Sequence, residues 1–115
     1  MSKPLNFFAA ALVTLTVATV STTNAQTTPP ADVDALLKKH ICLTCHKVDQ
    51  KLVGPAYTEV AKKKYTPEQM VELIYKPKPT NWPGYPPMAP MTQVPKEDAL
   101  KIATWIASLA PKKKK

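Results

Sequence analysis

Cys42-Leu43-Thr44-Cys45-His46 is the stretch on which the reading of this chain turns. C-x-x-C-H is the attachment signature of c-type haem. Two thiols one helical turn apart can face the same way and form thioethers to the two haem vinyl groups. The imidazole of His46 follows at once and can reach the iron from that side. Two other chemistries use similar residues. A redox-active dithiol typically sits at a βα junction, and the chain shows no βαβ pattern. Zinc would draw on His40, Cys42, Cys45 and His46. Structural zinc sites usually take ligands from two separated segments, so four ligands within residues 40–46 are cramped. The expected cofactor is one covalent haem c per chain, attached through Cys42 and Cys45.

In bacteria this haem is attached outside the cytoplasm, so export is required. The N-terminus supplies a signal for it. Lys3 is a short basic region, Phe7 to Val20 is an apolar run diluted with threonine, and residues 21–25 (STTNA) are small, ending before Gln26. That order marks a secretory signal peptide, cleaved near Ala25. A run of 14 residues falls short of the about 20 that a comfortable membrane span needs. The expected location is the periplasm. The remaining residues 26–115 make one domain with a modest core, of the size that often relies on disulfides, a metal or a cofactor. Two cysteines are too few for a disulfide scaffold.

The charge is basic, with 16 lysines, no arginine and 8 acidic residues. Loss of Lys3 with the signal peptide lowers the net charge from +8 to +7. A basic surface speeds encounters with acidic partners and loses that advantage in high salt. The missing arginine argues against phosphate or base readout, as does export, so nucleic acid is not an expected partner.

Pro29 and Pro30 punctuate a flexible leader over residues 26–31. From Asp32 the pattern is helical: Val33, Leu36, Leu37 and Ile41 share one face, and the helix is expected to run up to or into the Cys42–His46 segment. Residues 49–54 read as loop. Pro55 opens a short helix through Tyr57 and Val60, ending in Lys62-Lys63-Lys64. Thr66, Pro67 and Gln69 form a capping box for a third helix carrying Met70, Val71, Leu73 and Ile74. Residues 76–95 hold seven prolines and are expected to be irregular. A loop that long in a small domain implies a functional role. Residues 96–110 form the last helix, with the stripe Ala99, Ile102, Ala103, Ile106 and Leu109 beside Trp105. Pro111 ends it, and Lys112–Lys115 form a basic tail, expected to be solvated. The fold class is all-α, with about four helices.

The second axial position decides what a haem here would do. Methionine opposite histidine makes an electron carrier of raised potential, whereas an open position makes a ligand-binding or catalytic site. Met70 lies on the apolar face of a capped helix, where methionine usually packs. His40 is too close along the chain to His46 to cross to the opposite face, and reads as a surface residue. Met88 and Met91 sit in Tyr85-Pro86-Pro87-Met88-Ala89-Pro90-Met91, where prolines can hold a thioether against iron at little ordering cost. Either fits.

These residues resemble the small bacterial class I cytochromes c of the five-fifty-one group over nearly the whole exported chain. The resemblance rests on Cys42-x-x-Cys45-His46, Val53-Gly54-Pro55-Ala56-Tyr57, Trp82 with Pro87-Met88, and the final helix with Trp105. It implies a domain over residues 32–110 in which first and last helices cross around the haem. It also implies that the Pro55 carbonyl accepts the Nδ1–H of His46, that Trp82 contacts a haem propionate, and that Met88 rather than Met91 is the second ligand. The chain departs from the pattern in three ways. The loop is one residue longer between Trp82 and Met88, Leu37 stands where an aromatic is common, and Lys76 or Lys78 must replace an arginine toward the propionates. The function implied is single-electron transfer at a haem edge ringed by lysines. No catalytic residues are expected. The expected partners are redox proteins with acidic docking patches, with membrane contact at most transient.

Overall fold

The computed structural model describes residues 27–113, together with Ser2, Pro4 and residues 14–18. The signal-peptide reading falls largely outside the described residues, as do its cleavage site and the last two lysines of the tail. Among the described residues there are four α-helices and no strand: α1 (Ala31–Lys39), α2 (Tyr57–Lys62), α3 (Pro67–Tyr75) and α4 (Lys96–Ser108). None of them is long and apolar enough to cross a membrane.

Helix α4 is the hub, packing against α1, α2 and α3. Its buried face is Ala99, Ile102, Ala103, Trp105 and Ile106. The two alanines keep that face slim, and Leu37 of α1 is fully enclosed in the core they share. A leucine in such a site stabilises by about 2–3 kcal/mol through burial alone. Asp32 of α1 pairs with Lys101 of α4 at 2.6 Å on the surface of the α1–α4 contact. Helix α3 starts as its sequence directs. The amide of Gln69 donates to Thr66 Oγ1 at 3.1 Å, and the amide of Thr66 donates back to Gln69 Oε1 at 2.9 Å. Met70 is buried in the core, as its place on the apolar face suggested.

Several details differ from the sequence reading. Helix α2 begins at Tyr57 rather than at Pro55, with Ala56 as its N-cap. Helix α1 stops at Lys39 instead of reaching the cysteines, because Ile41 adopts a left-handed backbone with φ 55°. Residues 42–44 then form a separate 3₁₀ turn. Helix α4 ends at Ser108 rather than Ala110. The proline-rich segment is not wholly irregular, since Pro79–Asn81 form a second 3₁₀ turn. Proline suits the first position of such a turn, where no amide donor is needed.

Candidate functional site

The segment after α1 folds back on the start of α2 through backbone hydrogen bonds. The carbonyl of Cys42 accepts the amides of both Cys45 (3.3 Å) and His46 (3.1 Å), which closes the tight turn carrying the two thiols. The amide of Gly54 donates to Cys45 at 2.7 Å, Tyr57 to Lys47 at 3.0 Å and Thr58 to Val48 at 2.9 Å. His46 is thereby set against residues 54–57. Its Nδ1 lies 2.8 Å from the carbonyl oxygen of buried Pro55. A carbonyl can only accept, so Nδ1 carries the proton and Nε2 keeps its lone pair. The ring stacks on Tyr57 at 5.0 Å and 17°, and Tyr57 meets Trp105 edge-on at 5.5 Å. Gly54 lies directly against the same ring. A Cβ there would lie 2.6 Å from His46 Cε1 and 2.9 Å from Nδ1, so no larger residue fits. Burial pushes the imidazole below its ordinary 6.5, against the opposing pull of the Pro55 carbonyl, and favours the neutral ligating form. Burial also pushes the Cys42 thiol up, keeping it protonated. No disulfide joins the two cysteines.

The proline-rich segment forms the facing wall. Pro83 and Gly84 occupy the middle of a turn closed by the amide of Tyr85 donating to Trp82 at 3.2 Å. Gly84 has φ 84°, the backbone that the third position of a type II turn requires. The turn sets Trp82 and Tyr85 edge to face, 5.9 Å apart. Further on, the amide of Met91 donates to Ile74 of α3 at 3.0 Å, and the hydroxyl of Tyr75 donates to the carbonyl of buried Val94 at 2.8 Å. Met91 packs on the core, and its sulfur accepts from Gln93 at 3.7 Å. Met88 is 40% exposed and takes no part in the core.

Between the two walls lies a cavity of about 440 Å³. It is lined by Cys42, Cys45, His46 and Pro55 of the first segment, by Trp82, Tyr85, Met88 and Met91 of the proline-rich segment, and by the apolar Val60, Met70, Leu73, Ile74, Ile102 and Ile106. A neighbouring, more open groove of about 530 Å³ is lined by Tyr65, Gln69, Glu72, Lys76, Lys78 and other residues. It shares Lys78 with the cavity rim, whereas Lys76 belongs to the groove alone. The zinc reading is not supported. Among the described residues no three His, Cys, Asp or Glu side chains converge on a metal position. His40 turns away to Asp98 of α4, its Nε2 2.8 Å from Oδ2. His40 is also not the surface residue its sequence suggested, since its side chain is only 9% exposed.

Comparison with known proteins agrees with this geometry. Residues 30–110 match the family model described as Cytochrome c. The chain is 36% identical over 86 residues to cytochrome c-551 of Allochromatium vinosum, covering 70% of this chain and 90% of that protein. It is 40% identical over 80 residues to cytochrome c-551 of Pseudomonas denitrificans, covering 66% and 95%. The crystal structure of Nitrosomonas europaea cytochrome c552 superposes with a TM-score of 0.61 at 34% identity, over 66% of this chain and 98% of that one. This chain belongs to the cytochrome c family.

As a cytochrome c it is an all-α electron carrier rather than an enzyme, it works with redox partners, and it binds haem c covalently through two cysteines, Cys42 and Cys45. The residues present fit that group: an apolar cavity, paired thiols, an imidazole with its outer nitrogen free, and a glycine where a Cβ would strike that imidazole. Sequence reasoning missed four participants: Gly54 against His46, Asp98 against His40, Lys63 over Trp82 and Lys51 over Tyr85. The Gly-Pro pair at 54–55 was a usable signal. A lysine meeting an aromatic from a distant segment leaves none.

Proposed function

We infer that this cytochrome c is exported to the periplasm and carries single electrons with its haem iron held between His46 and Met88. On this reading residues 1–25 are the signal peptide, 26–31 a leader, 32–110 the haem domain and 111–115 a basic tail. The observation that supports it is that His46, Met88 and both cysteines line one and the same apolar cavity. When bound, haem supplies one-electron iron chemistry, and histidine–methionine ligation raises its potential. The chain's own residues orient and insulate. The Pro55 carbonyl fixes the tautomer of His46 and strengthens it as a donor, as ligand-supporting hydrogen bonds do. Tyr57 and Gly54 fix the ring plane. Met88 is favoured over Met91 because Met91 is committed to the core and to Gln93. Trp82 and Lys78 line the cavity and are the residues we assign to propionate contacts; Lys76 does not line it. Lys51 and Lys63 stand over rim aromatics and give partners with acidic patches a cationic target.

The test is a cyanide titration of the oxidised holoprotein. Met88→Ala is expected to bind cyanide at least about tenfold more tightly and to lower the potential, whereas Met91→Ala leaves ligation intact. Ligand loss in Met91→Ala but not in Met88→Ala would reverse the assignment.

A further inference from the structure

The loop that bears Met88 has little of its own to hold it. Between residues 77 and 90 its backbone bonds are local: Asn81 donates to Lys78, Trp82 to Pro79 and Tyr85 to Trp82. Its tie to α3 begins only at Met91. Two lysines from elsewhere reach its two aromatic rings. Lys63, at the end of α2, places Nζ 4.8 Å from the Trp82 ring centre and donates to the carbonyl of Asn81 at 3.3 Å. Lys51, between His46 and Gly54, places Nζ 4.4 Å from the centre of the Tyr85 ring. Both distances lie within the range of a cation–π attraction. Both lysines come from the segments that hold His46: the loop ending at Gly54 and the helix that begins with Tyr57.

We propose that Lys51 and Lys63 are positioning residues, two clips that hold the methionine-bearing loop closed over the haem cavity by gripping Tyr85 and Trp82. Each clip joins the histidine wall to the methionine wall without touching either axial ligand. The Trp82–Tyr85 edge contact links the two clips, and Met88 follows Tyr85 by three residues, so opening either clip frees the segment carrying the sulfur. The inference rests on Met88 as ligand for its functional meaning, but the clips themselves have an independent readout.

That readout is native-state hydrogen exchange at the Tyr85 amide in the oxidised holoprotein, measured beside the rate of cyanide binding. Lys51→Gln and Lys63→Gln are each expected to speed both by about two- to fivefold, and the double variant by about tenfold. Lys51→Arg and Lys63→Arg retain a cation over the ring and should restore parental values. Tyr85→Leu should match Lys51→Gln, and combining the two should add nothing further, which a role through net charge alone would not give. If exchange quickens but cyanide binding does not, the clips stand and Met88 as ligand fails. Parental Tyr85 exchange in both glutamine variants, or arginine variants as fast as the glutamine ones, would overturn the proposal.

Discussion

The two walls of the haem cavity are built on opposite principles. The histidine wall is fixed by contact: a hydrogen bond to Pro55, a ring stacked on Tyr57, a glycine pressed against the imidazole, and Trp105 behind. The methionine wall is fixed by backbone restriction. Its prolines set φ in advance, one glycine turn folds it, and few bonds join it to the body before Met91. A packed wall holds a ligand in one geometry at all times. A pre-set but lightly held wall would keep Met88, the proposed ligand, poised with little entropy left to lose, yet can open as a unit.

The contrast can be broken most severely at Gly54. Gly54→Ala drives a Cβ into His46, with neither the ring nor the backbone free to retreat, and should cost about 3 kcal/mol or more. Thermal unfolding of the holoprotein would show this as a Tm lower by 10 °C or more, at about 4–8 °C per kcal/mol for a domain this small. On the methionine wall, Pro87→Ala should cost only about 0.4–1 kcal/mol, felt through the freed backbone. Its signature is faster cyanide binding with a Tm loss of only about 2–8 °C. Equal losses of Tm at the two sites would erase the distinction drawn between the walls.

A smaller effect of opposite sign is expected at Lys64, an exposed residue held left-handed with φ 55°. Relief of left-handed strain, about 1–2 kcal/mol, exceeds the flexibility that glycine adds to the unfolded chain. Lys64→Gly should therefore raise Tm by about 2–4 °C. The smallest effect sits behind the histidine wall at Asp98. Its carboxyl lies below the ordinary 3.8 because His40 hydrogen-bonds it, with Lys39 adding to the effect. A depressed folded value means the unfolded chain takes up the proton first. The contribution is thus complete above about pH 4 and fades as pH falls through the folded value. Asp98→Asn should flatten that acid limb in denaturant titrations.

The histidine wall was largely legible in the sequence because its parts are local. Cysteine spacing, the following histidine and the Gly-Pro pair lie within residues 42–55, and the capping box of Thr66 and Gln69 wrote its own helix boundary. The left-handed turns were not legible. The chain has two glycines, and it places Ile41 and Lys64 in backbone conformations that glycine would mark. Helix α1 was therefore read as too long. The His40–Asp98 pair and the lysine clips join residues remote in sequence, and no spacing rule announces them. The proline run announced irregular backbone but not the short turn at Pro79–Asn81, since proline both forbids extended helices and opens tight ones.

The most direct test of the account is one visible spectrum of the mature, exported protein, oxidised and reduced, before and after denaturation. The account predicts a c-type haem spectrum that survives denaturation, with the red charge-transfer band of methionine–iron ligation in the oxidised native state only. A haem spectrum lacking that band, or a haem that washes out on denaturation, would contradict it.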